Sequence, residues 1–179
     1  DCYGRERKDV LLEKQLKETV QSELLAHFQY LMFADRAGRR GMKGIAGLFE
    51  ALAASEYYHA RNFYSVLECP APFAETVKSF LPGEEFEYQH LYQMLAEYAG
   101  EHKSPLAEQA YTSAAAAEKE HASLLRQAAD LEHFAAEPVY VCPICGYVMS
   151  GDSVSERCPV CGGPSHQYES YNGTGDSVR

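Results

Sequence analysis

Apolar residues recur along most of this chain in alternating steps of four and three, the spacing of one helix face. The first stretch gives Leu16, Val20, Glu23, His27, Tyr30 and Ala34, and the second gives Ile45, Phe49, Leu52, Glu56, His59, Phe63 and Val66. The third runs Phe73, Val77, Phe80, Glu84, Glu87, Leu91, Met94 and Tyr98; the fourth runs Tyr111, Ala114, Glu118, His121, Leu125 and Ala128. Four amphipathic helices with inward-facing seams predict an antiparallel bundle. Residues 38–44 separate the first helix from the second. Residues 100–105 separate the third from the fourth, with Ser104 placed as N-cap and Pro105 at the first helical position. Beyond a short linker at 135–138 the period changes to β-like runs at 139–141 and 147–149, set between Gly/Pro-rich knuckles. This divides the chain into a helical domain (1–136), a small second domain (137–172) and a polar tail (173–179) expected to be poorly ordered unless it docks.

The seams are unusual in carrying acids and imidazoles where a bundle core is apolar. Two helices present Glu-x-x-His (Glu56/His59 and Glu118/His121), the third presents Glu84 and Glu87, and the first presents Glu23. A buried carboxylate is protonated, paired or bound to metal. Five carboxylates and two imidazoles at one depth contain too few cations to pair among themselves, so two divalent metals are the economical answer. Oxygen and imidazole donors without thiolate suit iron or manganese. One Glu-x-x-His on a helix is usually a solvated pair. Two in phase with apolar seams, joined by in-phase glutamates on the other helices, match the known ligand pattern of ferritin-like di-iron carboxylate proteins. His27 is in phase as well and reads as a core histidine or a partner to a ligand. Tyr30 and Tyr92 fall near the same depth, as core packing or as hydrogen-bond donors to ligand carboxylates. Glu50, Glu85 and Glu120 fall off the seams and read as solvated.

The second domain carries Cys142-x-x-Cys145 and Cys158-x-x-Cys161, a spacing for four thiolates around one tetrahedral metal. Gly146 and Gly162 follow the two knuckles, where a positive φ helps wrap backbone around an ion. Spacing alone favours zinc; a neighbouring di-metal site favours iron, which supplies that site with single electrons. Cys2 and Cys69 read as free thiols.

The 179 residues suffice for one sizeable core and a small appendage. A formal net charge of −10 argues against nucleic acid or an anionic membrane as partner, and no apolar run is long enough to span a bilayer. The first residues show no signal-peptide apolar region. Four of the six cysteines lie in metal knuckles, which fits a reducing cytoplasm.

These residues resemble the rubrerythrin family over nearly the whole chain. The matching pieces are Ser22-Glu23 with Tyr30 seven residues on, Ser55-Glu56-x-x-His59-Ala60, Gly83-Glu84-x-x-Glu87, Glu118-Lys119-Glu120-His121, and the rubredoxin-like pairs Cys142-Pro143-x-Cys145-Gly146 and Cys158-Pro159-x-Cys161. The resemblance implies a ferritin-like four-helix bundle followed by a rubredoxin-like domain. It also implies a cytoplasmic enzyme that reduces hydrogen peroxide to water, with two irons in the bundle and one in the four-cysteine site. It further implies an external electron donor (rubredoxin or a reductase) and a homodimer in which the rubredoxin-like centre of one chain serves the bundle of the other. By matching motifs, Glu56 and Glu118 bridge the irons, Glu23 with His59 or Glu87 completes one, and Glu84 with His121 completes the other. Six ligands satisfy such a pair, so Glu87 is surplus. Ferric iron prefers the carboxylate and ferrous iron tolerates imidazole, which motivates an exchange of Glu87 with His59 on oxidation. The competing readings are an iron-handling ferroxidase and a non-enzymatic bundle bearing a zinc ribbon.

One departure concerns the third seam, which continues backwards through Pro82 to Phe73. The second helix then runs ~12 Å past the metals and the third begins ~16 Å short of them, at 1.5 Å per residue. Ferritin-like bundles hold these two helices parallel, with a long crossover between them. The link would have to cover ~28 Å, whereas six residues reach ~20 Å. Either Pro82 breaks the helix and the stretch before it is the crossover, or the chain exchanges its third and fourth helices with a partner.

Overall fold

The computed structural model describes residues 10–67, 71–130, 138–151 and 154–171. They fall into two units, divided between Pro70 and Ala71. In the first, helix α1 spans Val10–Arg39 and α2 spans Lys43–Leu67, packed as a hairpin. Glu13 in the first turn of α1 and Arg36 and Arg39 in its last complement the helix dipole. The turn needs Gly41, whose φ is 73°, so that the Met42 amide can donate to the Ala37 carbonyl at 3.0 Å.

The buried face of this hairpin is Val20, Ala34 and Ala37 from α1 against Ala46, Ala53 and Ala60 from α2. The α2 alanines are seven residues apart, the repeat of a close helix pair, and a methyl side chain lets the two backbones approach. The predicted seam of α2 lies on the neighbouring stripe. Ile45 and Leu52 remain 38% and 36% exposed, because within this unit each helix has one neighbour and covers one stripe.

In the second unit, α3 spans Phe73–Phe86, a π-helical segment spans Glu87–Leu91, α4 spans Tyr92–Glu101 and α5 spans Pro105–Ala128. Pro82 lies inside α3 and does not break it. Its ring sits on an exposed position, and its missing amide removes a single helical hydrogen bond. Of the two alternatives for the link, a crossover built from the stretch before Pro82 is therefore excluded. The single third helix expected from periodicity is instead interrupted by the π segment, where the Tyr92 amide donates to the Glu87 carbonyl five residues back. Ser104 stands at the N-cap of α5 and Pro105 begins the helix as predicted, although the Ser104 hydroxyl makes no capping bond. Ala99, Ala117 and Ala122 are the buried helical positions here.

The C-terminal part holds three short antiparallel strands, β1 (Val139–Val141), β2 (Val148–Ser150) and β3 (Glu169–Tyr171), in the order β2-β1-β3. Tyr140 pairs with Met149 on one side and Ser170 on the other. Strand β2 begins one residue later than predicted. Strand β3 went unpredicted, since three exposed residues carry no apolar alternation. Cys2, Cys69, most of the linker and the C-terminal tail lie outside the described residues. Among those described, no helix is long and apolar enough to cross a membrane.

Candidate metal centres

In the first unit, α1 and α2 bring Glu23, Glu56 and His59 together, with one donor atom from each within 4.8 Å of the others. His59 Nδ1 lies 2.9 Å from Glu56 Oε2. The Glu23 carboxyl is pushed up from its ordinary value by desolvation and by its hydrogen bond to Glu56. Donors around one ion at about 2.1 Å are at most about 4.2 Å apart, so this trio needs only slight closure to ligate. His27 takes the core role: its Nδ1–H donates to the Ala53 carbonyl at 2.8 Å. A carbonyl only accepts, so the proton is on Nδ1. Tyr30 packs edge-on to Phe49.

In the second unit, Glu84 of α3 with Glu118 and His121 of α5 forms a trio of the same composition within the same 4.8 Å limit. His121 Nδ1 is 2.6 Å from Glu118 Oε2 and 3.2 Å from Glu84 Oε2. Desolvation and the neighbouring Glu84 push the Glu118 carboxyl up to about 7, against the pull of His121. The Glu118 carboxyl thus ionises against a second carboxylate beside it, the condition a divalent cation relieves. Glu87 belongs to neither trio. It opens the π segment; desolvation first, and then Glu87, Glu118 and Glu84, push the Tyr92 phenol above its usual range. Tyr92 stacks on Tyr111 with ring centroids 6.1 Å apart. Two of the acids read as solvated have partners: Glu85 bonds Arg126 at 2.5 Å, and Glu120 lies near enough to Tyr147 to raise its phenol, after desolvation.

Cys142, Cys145, Cys158 and Cys161 converge within 4.8 Å. Cys142 and Cys158 are buried, and the pairs Cys142–Cys161 and Cys145–Cys158 have Sγ atoms 3.6 Å apart. Four sulfurs about 2.3 Å from a central ion stand about 3.8 Å apart, so the cage fits a tetrahedral metal nearly as it is. Both knuckles close identically: the Gly146 amide donates to the Cys142 carbonyl and the Gly162 amide to the Cys158 carbonyl, each at 2.8 Å. Their φ values are 78° and 73°, as the spacing predicts. Burial raises the Cys145 thiol strongly. It also raises Cys158, but there the amides of Cys161 and Val160 and the thiols of Cys145 and Cys161 prevail, holding it at about 7. An open groove of about 400 Å³ exposes Cys145 and Cys161, walled by Ile144 and by Leu106, Gln109, Ala110 and Ser113 of α5.

A helical scaffold bearing Glu/His metal trios, followed by a four-sulfur cage, defines the class of di-iron carboxylate proteins with an attached rubredoxin-like centre. The family model for Rubrerythrin matches residues 14–129, and that for Rubrerythrin, rubredoxin-like domain, matches residues 140–169. The chain is 28% identical to Rubrerythrin-2 of Clostridium acetobutylicum, over 92% of this chain and 98% of that protein. It is 31% identical to Rubrerythrin of Porphyromonas gingivalis, over 88% of each. Nigerythrin of Nitratidesulfovibrio vulgaris is 30% identical over 88% of this chain and 85% of that one. A solved structure of nigerythrin in its mixed-valence state superposes with a TM-score of 0.53 at 29% identity, covering 89% of this chain and 86% of that one. The chain belongs to the rubrerythrin family, whose members are redox enzymes. It carries the family's di-iron Glu/His set and a rubredoxin-like four-cysteine iron site.

Proposed function

We propose that this protein is a cytoplasmic hydrogen peroxide reductase, taking H2O2, two electrons and two protons to two waters. The observation that carries the reading is the double use of α5. One end of this helix walls the groove at Cys145 and Cys161, and Glu118 and His121 follow on the same helix. From Ser113 to Glu118 and His121 the axial distance is ~8–12 Å. A one-electron sulfur site and an oxygen/nitrogen site on one rigid element suit a relay from an external donor, a rubredoxin or a reductase, entering at the groove.

In this reading Glu23, Glu56, His59, Glu84, Glu87, Glu118 and His121 hold two irons, and Cys142, Cys145, Cys158 and Cys161 hold a third. When bound, the reduced iron pair supplies both electrons for cleavage of the peroxide O–O bond. The trios fix the donor atoms, with each imidazole kept against its own helix's glutamate. Tyr92, beside Glu87, Glu118 and Glu84, retains its proton as a hydrogen-bond donor, and Tyr30 packs on Phe49 of its own unit. Glu87 is the additional carboxylate that a simple ferroxidase pair does not require. The assembly is a homodimer.

The test begins with anaerobically purified, reduced protein. About three irons per chain, a red ferric-thiolate colour on oxidation, and stoichiometric oxidation by peroxide faster than by air are the expected results. Faster reaction with O2 than with peroxide would move the protein to the ferroxidases. One zinc, no iron and no response to peroxide would reduce it to a structural zinc-ribbon bundle.

A further inference from the structure

We infer that Tyr147 is the positioning residue that seats the four-sulfur centre on α5 of its own chain, its ring set opposite Glu120, next to the Glu118 and His121 that the same helix carries. The inference rests on the relay reading above and adds the joint through which that relay runs. It departs from the cross-chain service that the family resemblance implies.

Helix α5 presents two stripes. On one, Tyr111 stacks on Tyr92 of α4, and His121 meets Glu84 of α3. The other is Ala110, Ser113, Ala117 and Glu120, in steps of three and four. Ala117 is 4% exposed, and Ser113 and Glu120 are half-buried, although the sequence pattern leaves Glu120 in solvent. The C-terminal sheet covers this second stripe: β2 packs on α5, and Ala110 and Ser113 line the groove with Cys145 and Cys161. Successive helical residues stand ~100° apart, so Ala117 and Glu118 put the sheet side and the donor side of α5 next to one another.

Tyr147 ties the sheet side to the cage. Its carbonyl accepts the Cys142 amide at 2.9 Å, and its own amide donates to the Cys145 sulfur. Its side chain is half-buried, and after desolvation Glu120 and then Cys158 raise its phenol. The ring therefore lies between a carboxylate of α5 and a sulfur of the cage, and the next residue, Val148, opens β2. A ring in that place fixes how far the sulfurs stand from the helix, whereas alanine leaves a gap the size of a phenol. Glu120 directly precedes His121, so a route from the sulfurs to the Glu84/Glu118/His121 trio crosses this ring. Each passage oxidises the cage iron from ferrous to ferric and delivers one electron. Two passages restore the iron pair that one peroxide has oxidised, and the external donor re-reduces the cage from the groove.

The tests use the full chain. With zinc in the cage, 15N relaxation compares residues 139–150 with α5. Wild type and Tyr147→Phe are expected to show one rotational correlation time for both, and Tyr147→Ala a shorter time for the sheet at equal zinc content. Independent tumbling in wild type, or common tumbling in Tyr147→Ala, overturns the inference. With iron in every site, oxidation of the ferrous cage after one peroxide is followed by its ferric-thiolate colour. In Tyr147→Ala it is expected to slow at least tenfold, with the cage spectrum, reduction potential and reduction by dithionite unchanged, and in Tyr147→Phe to regain the wild-type rate. An unslowed Tyr147→Ala, or a slowing matched by a shifted potential, overturns the positioning role. A tag-selected heterodimer decides the chain: one copy carries Cys158→Ser with Cys161→Ser, the other Glu118→Ala with His121→Ala. Transfer within a chain leaves its one intact cage ferrous, and prompt oxidation of that cage by peroxide overturns the inference. If wild type holds no iron outside the cage, the relay reading fails, and the zinc measurement still decides where the sheet is seated.

Discussion

Gly146 and Gly162 show how single residues hold the sulfur cage. Each sits in the left-handed region and aims its amide at the carbonyl of the first cysteine of its knuckle. A Cβ there meets no neighbouring atom within 4 Å, so replacement by alanine is resisted by backbone conformation and not by space. Gly146→Ala and Gly162→Ala are each expected to destabilise the cage by about 1–2 kcal/mol. Chelator-driven metal release should quicken in both, and unchanged release would show that φ is not what matters. These glycines were legible in the sequence, because a knuckle leaves the next residue few options. The same holds for the seam glutamates and histidines, whose chemistry contradicts a buried position unless a cation is present. His27 was only half legible: its phase pointed inward, but its bond to the Ala53 carbonyl depends on how closely α2 approaches.

At the scale of elements, the alanine stripe and the π segment are the features that periodicity missed. Ala46, Ala53 and Ala60 form the contact of the first hairpin, yet alanine contributes little to an apolar pattern and the bulkier stripe beside it dominates. The π segment inserts one residue between Glu84 and Tyr92, and no local composition marks it. Deleting Gln89 should convert the segment to regular α-helix with α4 still in phase, because Tyr92 then stands four residues after Glu87 instead of five. Iron uptake and the Tyr92–Tyr111 stack are both expected to survive, and a changed tyrosine near-UV circular dichroism would show that the segment does more than absorb one residue. The α4–α5 turn carries a further weakness. Lys103 has φ 55° and its amide donates to the Gly100 carbonyl at 3.0 Å, a position glycine fills without strain. Lys103→Gly is expected to stabilise the protein by about 0.5–1 kcal/mol in urea unfolding. A loss of stability would mean that the lysine side chain does more than endure the turn.

At the scale of the molecule, the C-terminal sheet has little to hold it except its metal. Among its described residues, those that are buried are Cys142, Cys158 and Gly163, two of them cage members and the third packed against the cage sulfurs, and its three strands have three residues each. Stripping the metal under reducing conditions is expected to unfold this part while far-UV helical signal persists, since structural metal binding and folding are one equilibrium in so small a unit. Amide protection that survived in β1 after stripping would contradict this. The sequence by itself determined the four helical seams, the seven oxygen and nitrogen donors, the four sulfurs and the family. These follow from side-chain chemistry at fixed local spacing, which short-range geometry enforces. Only the tertiary structure decided which stripe each hairpin buries, that α3 runs unbroken through Pro82, that the donors gather as two equal trios, and that a third strand closes the sheet. Those outcomes depend on contacts between residues far apart in the chain, where approach distance and backbone reach decide, and neither can be read from the order of the residues.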